Sequence, residues 1–145
     1  MMRHHANTPR AKAVLKANHA WSDCIHVIYN NTCARCKRKV LADNPMLRSL
    51  LHPHHIISVG VNPSLRWAIL NGILLCYECH CWATDHPAQC DEWLRNEFPT
   101  LWQFMQDNQF KRPRFQVLRI DAEQAYEELA KLKAKLVKMG KQHPA

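Results

Sequence analysis

The chain has 145 residues, a formal net charge of +8 and a pI near 9.3, with 47% hydrophobic residues and only three glycines. These values are typical of one globular domain, and they exclude a disordered or linker-rich chain. The positive charge predicts a polyanionic partner, with nucleic acid as the first candidate and an acidic membrane surface as the second. The longest apolar run, "WAILNGILLC", is too short to span a bilayer, so no membrane segment is predicted.

Two helices are predicted at the start of the chain. Residues 9–20 are basic and helix-permissive, and residues 21–29 place apolar side chains three or four positions apart. Ser22 is available as the N-cap of the second helix. Asn30 and Asn31 then predict a turn or a helix C-cap.

A β-hairpin is predicted in the middle of the chain. Residues 43–49 favour a loop, and the β-branched, apolar residues 54–61 predict the first strand. Residues 71–76 predict the returning strand. A helical turn over residues 80–86 follows, and Pro87 is expected to end it.

The last third of the chain is predicted to be helical. Residues 87–98 and 100–109 favour two short helices, and residues 121–139 give the clearest helical pattern. Asp121 is the predicted N-cap of the last helix, and Gly140 is predicted to end it. Its apolar positions cover fewer than three heptads, which favours packing against its own domain. The alternative is a homodimer formed through this helix.

Four of the seven cysteines form two Cys-x-x-Cys pairs, namely Cys33, Cys36, Cys76 and Cys79. A two-residue gap lets both sulfurs of a pair turn toward one ion, so we expect a structural Zn²⁺ held by all four thiolates. Reduced thiols without metal, or a redox pair, are the alternatives. The pairs favour a reducing compartment, and the N-terminus shows no secretory signal. We therefore expect a cytoplasmic, intracellular protein.

Three histidines and an asparagine lie between the two cysteine pairs, and a fourth histidine directly follows the second pair. They are His52, His54, His55, Asn71 and His80. A neutral imidazole is both a common metal ligand and a suitable general base at neutral pH. Adjacent residues of a strand point to opposite faces. A histidine pair can therefore serve one site, with one metal ligand and one base, only where the strand bends.

The pattern "CARC…HHII…NGILLCYECH" resembles the HNH nuclease family, also called His-Me finger or ββα-metal endonucleases, in the branch with a four-cysteine zinc site. The resemblance covers roughly residues 21–95, and the "LRW…NG" and "HP…W" segments are similar to small phage-type members. It implies an α+β fold in which a small ββα-metal core is stabilised by the four-cysteine zinc site and flanked by helices at both ends. The implied division is a basic extension (1–20), a nuclease core with the zinc site (21–98) and a helical extension (99–145).

The resemblance also implies an activity and the residues that perform it. The chain would be a metal-dependent DNA endonuclease or nickase, of phage origin in a bacterial host. His54 and His80 would bind a catalytic Mg²⁺ or another divalent cation such as Mn²⁺ or Ni²⁺. His55 would be the general base, and Asn71 would brace the hairpin and orient that base.

Some positions depart from the family pattern. The segment "SVGVNPSLRW" replaces the Gly-Gly turn of many relatives. His52 has no counterpart in the family, and we interpret it as a surface or phosphate-contacting residue. His86, six residues after His80, is an alternative second metal ligand.

Basic side chains are expected to contact the DNA backbone. The candidates are Lys37, Arg38, Lys39, Arg66, Lys111, Arg112 and Arg114. The last three are interleaved with two phenylalanines, a composition that suits gripping a strand. Two other functions stay open: a non-catalytic, zinc-stabilised DNA-binding module, and a phage assembly or recombination accessory protein.

Overall fold

In the residues that the structure describes, a two-stranded antiparallel sheet and six α-helices form an α+β fold. The computed structural model describes residues 7–41, 44–111 and 117–140. The elements are α1 (Pro9–Ile28), α2 (Pro45–Arg48), β1 (Leu51–His55), β2 (Gly72–Cys76), α3 (Tyr77–Asp85), α4 (Pro87–Glu97), α5 (Pro99–Asn108) and α6 (Arg119–Gly140). In these ranges, no helix is both long enough and apolar enough to cross a bilayer.

The N-terminal region forms one continuous helix, α1, so the prediction of two helices is wrong. The side chain of Thr8 caps it by accepting a hydrogen bond from the Ala11 backbone N–H at 3.1 Å. Ser22 lies inside the helix because no glycine or proline interrupts α1 there. Asn30 and Asn31 adopt φ of 51° and 50°, which confirms the turn after the helix.

Residues 54–61 were predicted to form the first strand, but β1 begins earlier, at Leu51, and ends at His55. Its antiparallel register with β2 pairs Leu51 with Cys76 and His55 with Gly72. Beyond His55 the chain bends, because the side chain of Asn71 hydrogen-bonds both the backbone N–H and the backbone C=O of Ile57. Strand β2 confirms the predicted returning strand.

The helical predictions for the second half of the chain are confirmed, with shifted ends. Helix α3 begins directly after β2, and α6 starts two residues before Asp121, whose carboxylate accepts from the Leu118 N–H at 2.9 Å. The predicted loop at 43–49 contains the short helix α2, capped by the side chain of Asn44.

Helix α6 packs along α1, as expected for a helix that covers its own domain. The Cys24 thiol donates to the Leu129 carbonyl at 3.4 Å across this contact. Asp23 on α1 binds Lys133 on α6 and also Arg48 on α2. The homodimer through this helix stays a prediction.

Gly72 packs tightly against Trp21 and Ile25 of α1, so it tests the packing of this helix on the sheet. A Cβ added to Gly72 would collide with the Ile25 Cδ1 atom and lie 2.7 Å from Trp21 Cζ2. We expect Gly72→Ala to lower the free energy of unfolding by about 1–3 kcal/mol, as over-packed cores do. Urea unfolding measures it. Gly60→Ala is the matched control, because its Cβ would meet nothing closer than 3.5 Å. Equal stability of the two variants would contradict the close approach.

His26 on α1 is buried and predicts acid destabilisation. Burial, followed by the charge of Arg48, lowers the His26 pKa from 6.5 to about 4, while a hydrogen bond with Asn31 partly opposes this. Because the folded-state pKa lies below the unfolded value, the unfolded chain binds more protons between these two pH values. Above pH 6.5 the neutral His26 side chain costs no folding stability. As the pH falls from 6.5 toward 4, this histidine lowers the free energy of unfolding by up to about 3 kcal/mol.

Urea unfolding of wild type and His26→Gln at two pH values separates this contribution from that of other groups. Between pH 6.5 and about 5.5, the free energy of unfolding should fall more steeply for the wild type. Parallel pH profiles of the two proteins would show that His26 does not cause the loss.

Candidate metal centre and histidine cluster

The two Cys-x-x-Cys pairs meet at one end of the hairpin. The sulfur atoms of Cys33, Cys36, Cys76 and Cys79 all lie within 4.8 Å of one another. Three of the four residues are buried, and Cys36 is exposed. In the described part of the chain, no other group brings three or more His, Cys, Asp or Glu ligand atoms within that distance. Four converging thiols form the donor set of a tetrahedral site, so this cluster can hold a metal ion such as zinc.

Local backbone structure places both pairs. Around the first pair the chain makes a tight turn in which Lys37 adopts φ of 67°, and the Cys33 N–H donates to the Arg38 carbonyl at 2.8 Å. The Ala34 N–H donates to the Leu74 carbonyl at 2.8 Å, which fixes this turn against β2. The second pair spans the junction of β2 and α3, where Cys76 is the helix N-cap.

The thiols of the cluster differ in acidity. Burial opposes ionisation of Cys33, but backbone N–H groups of the cluster outweigh it and lower the pKa of that thiol to about 7. Burial raises the pKa of the Cys79 thiol to about 12, although Arg35 opposes this by donating to its sulfur at 3.7 Å. A bound dication would ionise all four thiols, and the Arg35 guanidinium would offset part of their charge.

The seven cysteines all lie in described parts of the chain, and none forms a disulfide. Cys24 is buried between α1 and α6, while Cys81 and Cys90 are half-buried.

A cluster of three imidazoles occupies the sheet face opposite α1. The ring centres of His54 and His80 lie 4.7 Å apart, and those of His52 and His80 lie 5.8 Å apart. His52 and His54 share this face because they are two positions apart on β1, and α3 places His80 against them. Burial, followed by the charges of His80 and His55, lowers the His54 pKa to about 4, so this imidazole is neutral at pH 7.

His55 points to the other face of the sheet, toward α1. Its ring stacks on Trp21 with a centroid distance of 4.1 Å and an interplanar angle of 2°. Its Nε2 atom lies 2.8 Å from the Arg66 carbonyl oxygen. Because a carbonyl only accepts, Nε2 carries the proton and Nδ1 keeps the lone pair of a base. Burial lowers the pKa of His55, although the bond to the Arg66 carbonyl opposes this.

Asn71 is fully buried directly before β2 and ties the loop after β1 to the sheet. Its Oδ1 accepts from the Ile57 N–H at 2.7 Å, and its Nδ2 donates to the carbonyls of Ile57 at 3.0 Å and Leu65 at 3.2 Å. These three bonds hold the bend that follows His55. Asn71 therefore fixes the loop that carries Arg66, and through the Arg66 carbonyl it fixes the His55 ring.

A cationic cleft of about 350 Å³ opens beside His55, and Arg66, Trp21, Asn18 and Ser22 contribute to its lining. The Nε atom of Arg66 is buried and has no hydrogen-bond partner within the described residues. Burial lowers the pKa of Arg66, and the charge of Arg10 lowers it further. The Arg66 guanidinium and its unused N–H donor suit an anionic ligand in this cleft.

The remaining predicted DNA contacts are spread over several surfaces. Lys37 donates to the Ala34 carbonyl at 2.8 Å, and Arg38 pairs with Glu78 at 3.1 Å, so both are engaged beside the cysteines. Lys39 and Lys111 are exposed. The other two candidates, Arg112 and Arg114, lie outside the described residues.

Sequence reasoning missed Trp21 and Arg35, which contact His55 and Cys79 through the tertiary fold. No local pattern marks Trp21, because it comes from α1. His52 lies beside His80, a position that the two-residue period of a strand could have suggested from His54. His86, the alternative metal ligand, packs on Trp82 with ring centres 6.2 Å apart, and its Nδ1 lies 3.1 Å from the Trp82 carbonyl. Among the described residues its ring makes no contact with His52, His54 or His80.

Comparisons with protein-family models, with curated proteins and with solved structures gave no match to this chain.

Proposed function

We propose that this protein is a metal-dependent DNA endonuclease or nickase with the ββα-metal (HNH) arrangement. In this proposal the four cysteines hold a structural Zn²⁺, and a divalent cation binds His54 and His80. His55 is the general base, and Asn71 is a positioning residue. The two strands of the hairpin, followed by α3, correspond to the ββα core.

One observation carries the proposal: an imidazole oriented by a hydrogen bond lies next in sequence to an imidazole in contact with a second one, at the end of a strand. His55 has its Nε2 fixed by the Arg66 carbonyl, and His54 lies 4.7 Å from His80 between ring centres. The strand ends at His55 and the chain bends immediately afterwards. In this proposal the end of the strand lets the two neighbouring imidazoles, which point to opposite faces of the sheet, serve one reaction centre.

Phosphodiester hydrolysis has three requirements that side chains of this site, and the cation they hold, would meet. The His55 Nδ1 atom would accept the proton of the attacking water, which forms the new P–O bond while the bond to the 3′ oxygen breaks. The Arg66 guanidinium, with an unused buried N–H, would bind a phosphate oxygen beside this base. The cation held by His54 and His80 would neutralise charge that builds on the phosphate and the leaving oxygen.

The cysteine cluster supports this site without taking part in the reaction. A four-thiolate site leaves no open coordination position, so its zinc would be structural. Cys76 ends β2 and Cys79 lies one residue before His80, so the zinc would hold α3, and with it His80, against β1. Two metal sites of different kinds would thus share one hairpin.

Nicking of supercoiled plasmid DNA tests the proposal. Zinc-loaded wild type should convert supercoiled DNA to open circles in the presence of Mg²⁺, Mn²⁺ or Ni²⁺, and EDTA should stop the reaction. A gel-shift assay on the same samples reports DNA binding. A protein that binds DNA but cuts it with none of these ions would contradict the nuclease proposal and favour a non-catalytic DNA-binding module.

A further inference from the structure

We propose that His52 is a third ligand of the histidine site, so that His52, His54 and His80 hold a transition-metal ion through three imidazole nitrogens. The inference deepens the proposed nuclease site and rests on it only for the task of the ion. His52 and His54 lie on the same face of β1, and α3 presents His80 to both of them. The proposal thus adds a ligand from the strand.

The His54–His80 ring distance fits a shared ion, and the His52–His80 distance lies just outside the fit. Two imidazoles that bind one ion at a metal–nitrogen distance of about 2.0–2.1 Å have ring centres roughly 4.5–5.3 Å apart. The His54–His80 distance of 4.7 Å lies inside this range. The His52–His80 distance of 5.8 Å exceeds its upper end by about 0.5 Å (5.8 minus 5.3).

The ring nitrogens of these three histidines are not engaged elsewhere in the described part of the chain. None of them makes a hydrogen bond there, in contrast to His26, His55 and His86. The nitrogens of the trio do not all lie within 4.8 Å of one another, so His52 must turn toward the other two. His52 is half-buried, and its ring contacts the exposed ring of Tyr77. Rotation of the His52 side chain therefore does not disturb a packed core.

Three imidazole donors determine the class of ion. Imidazole favours Ni²⁺, Zn²⁺ and related transition metals, whereas Mg²⁺ prefers carboxylate, carbonyl and water oxygens. No carboxylate joins the histidine trio among the described residues. We therefore infer that the physiological ion of this site is a transition metal and that Mg²⁺ binds it poorly.

Calorimetric titration of tag-free, zinc-loaded full-length protein with Ni²⁺ tests the third ligand without reference to activity. Wild type should bind one Ni²⁺ in addition to its zinc, and millimolar Mg²⁺ should not displace it. We expect His52→Ala and His80→Ala each to weaken this binding at least tenfold. His86→Ala is the matched control and should stay within twofold of wild type. Zinc content and thermal melting verify that each variant is folded.

The outcomes separate this inference from the proposed function. If His52→Ala binds Ni²⁺ within twofold of wild type while His54→Ala and His80→Ala lose it, the third ligand is refuted and the two-ligand nuclease site stands. Competition by Mg²⁺ at equal affinity, or the absence of a second ion in wild type, would also overturn the inference. Ni²⁺ binding that needs all three histidines in a protein that never cuts DNA would support the metal site and refute the nuclease.

Discussion

Cys76→Ser is expected to lose the bound zinc and to be largely unfolded. Cys76 is fully buried at the end of β2, and its sulfur lies 3.7 Å from that of Cys36. A serine hydroxyl does not replace a thiolate ligand of zinc at neutral pH. Structural zinc contributes about 10–16 kcal/mol of apparent binding free energy in small metal-stabilised folds. This is comparable to the whole stability of a typical domain, about 5–15 kcal/mol.

Metal analysis and thermal melting measure this loss directly. Cys81→Ser is the matched control, because Cys81 is half-buried on α3 and lies outside the four-sulfur cluster. It should keep one zinc per chain and melt close to wild type. A Cys76→Ser protein with unchanged zinc content and melting temperature would refute the structural role of the cluster.

His55→Ala is expected to reduce the rate of DNA nicking by about 10²–10⁴-fold, the usual contribution of a general base. DNA binding should change little, because His55 contributes no charge in its neutral form. The substitution removes the ring that stacks on Trp21, so some loss of stability is expected, but the four cysteines are untouched. Zinc content should therefore stay at the wild-type level.

Single-turnover nicking of supercoiled plasmid, with saturating protein and cation, measures this rate. His86→Ala serves as the control for loss of a histidine, since its ring packs on Trp82 away from the trio. Nicking by His55→Ala at the wild-type rate would discard the assignment of the base while leaving the rest of the site intact. Loss of nicking together with loss of zinc would instead indicate a folding defect.

The four-cysteine cluster was predictable because its chemistry needs only residue type and spacing. Two Cys-x-x-Cys pairs leave few arrangements in which four thiols satisfy one ion, and the structure brings all four together. Strand β2 was also predictable, since "GILLC" is apolar throughout and buried on both faces. Both features follow from residue type and spacing along the sequence.

The start and end of β1 were not predictable in this way. The residues 56–61 are as β-branched as a strand, but the buried side chain of Asn71 takes the backbone groups of Ile57 and bends the chain. That bond joins positions fourteen residues apart, which no local pattern encodes. The stack of Trp21 on His55 is likewise a tertiary contact, formed only when α1 lies on the sheet.

The central claim is that a closed cysteine site and an open histidine site share one hairpin, and metal exchange tests it most directly. Zinc-loaded protein is treated briefly with EDTA, assayed for nicking, and then supplied with Ni²⁺ or Mn²⁺ while its zinc content is followed. We predict that EDTA abolishes nicking with one zinc per chain retained, and that the added ion restores nicking at constant zinc. Nicking that follows the zinc content, or that persists when zinc is the only ion left, would contradict the two-site account.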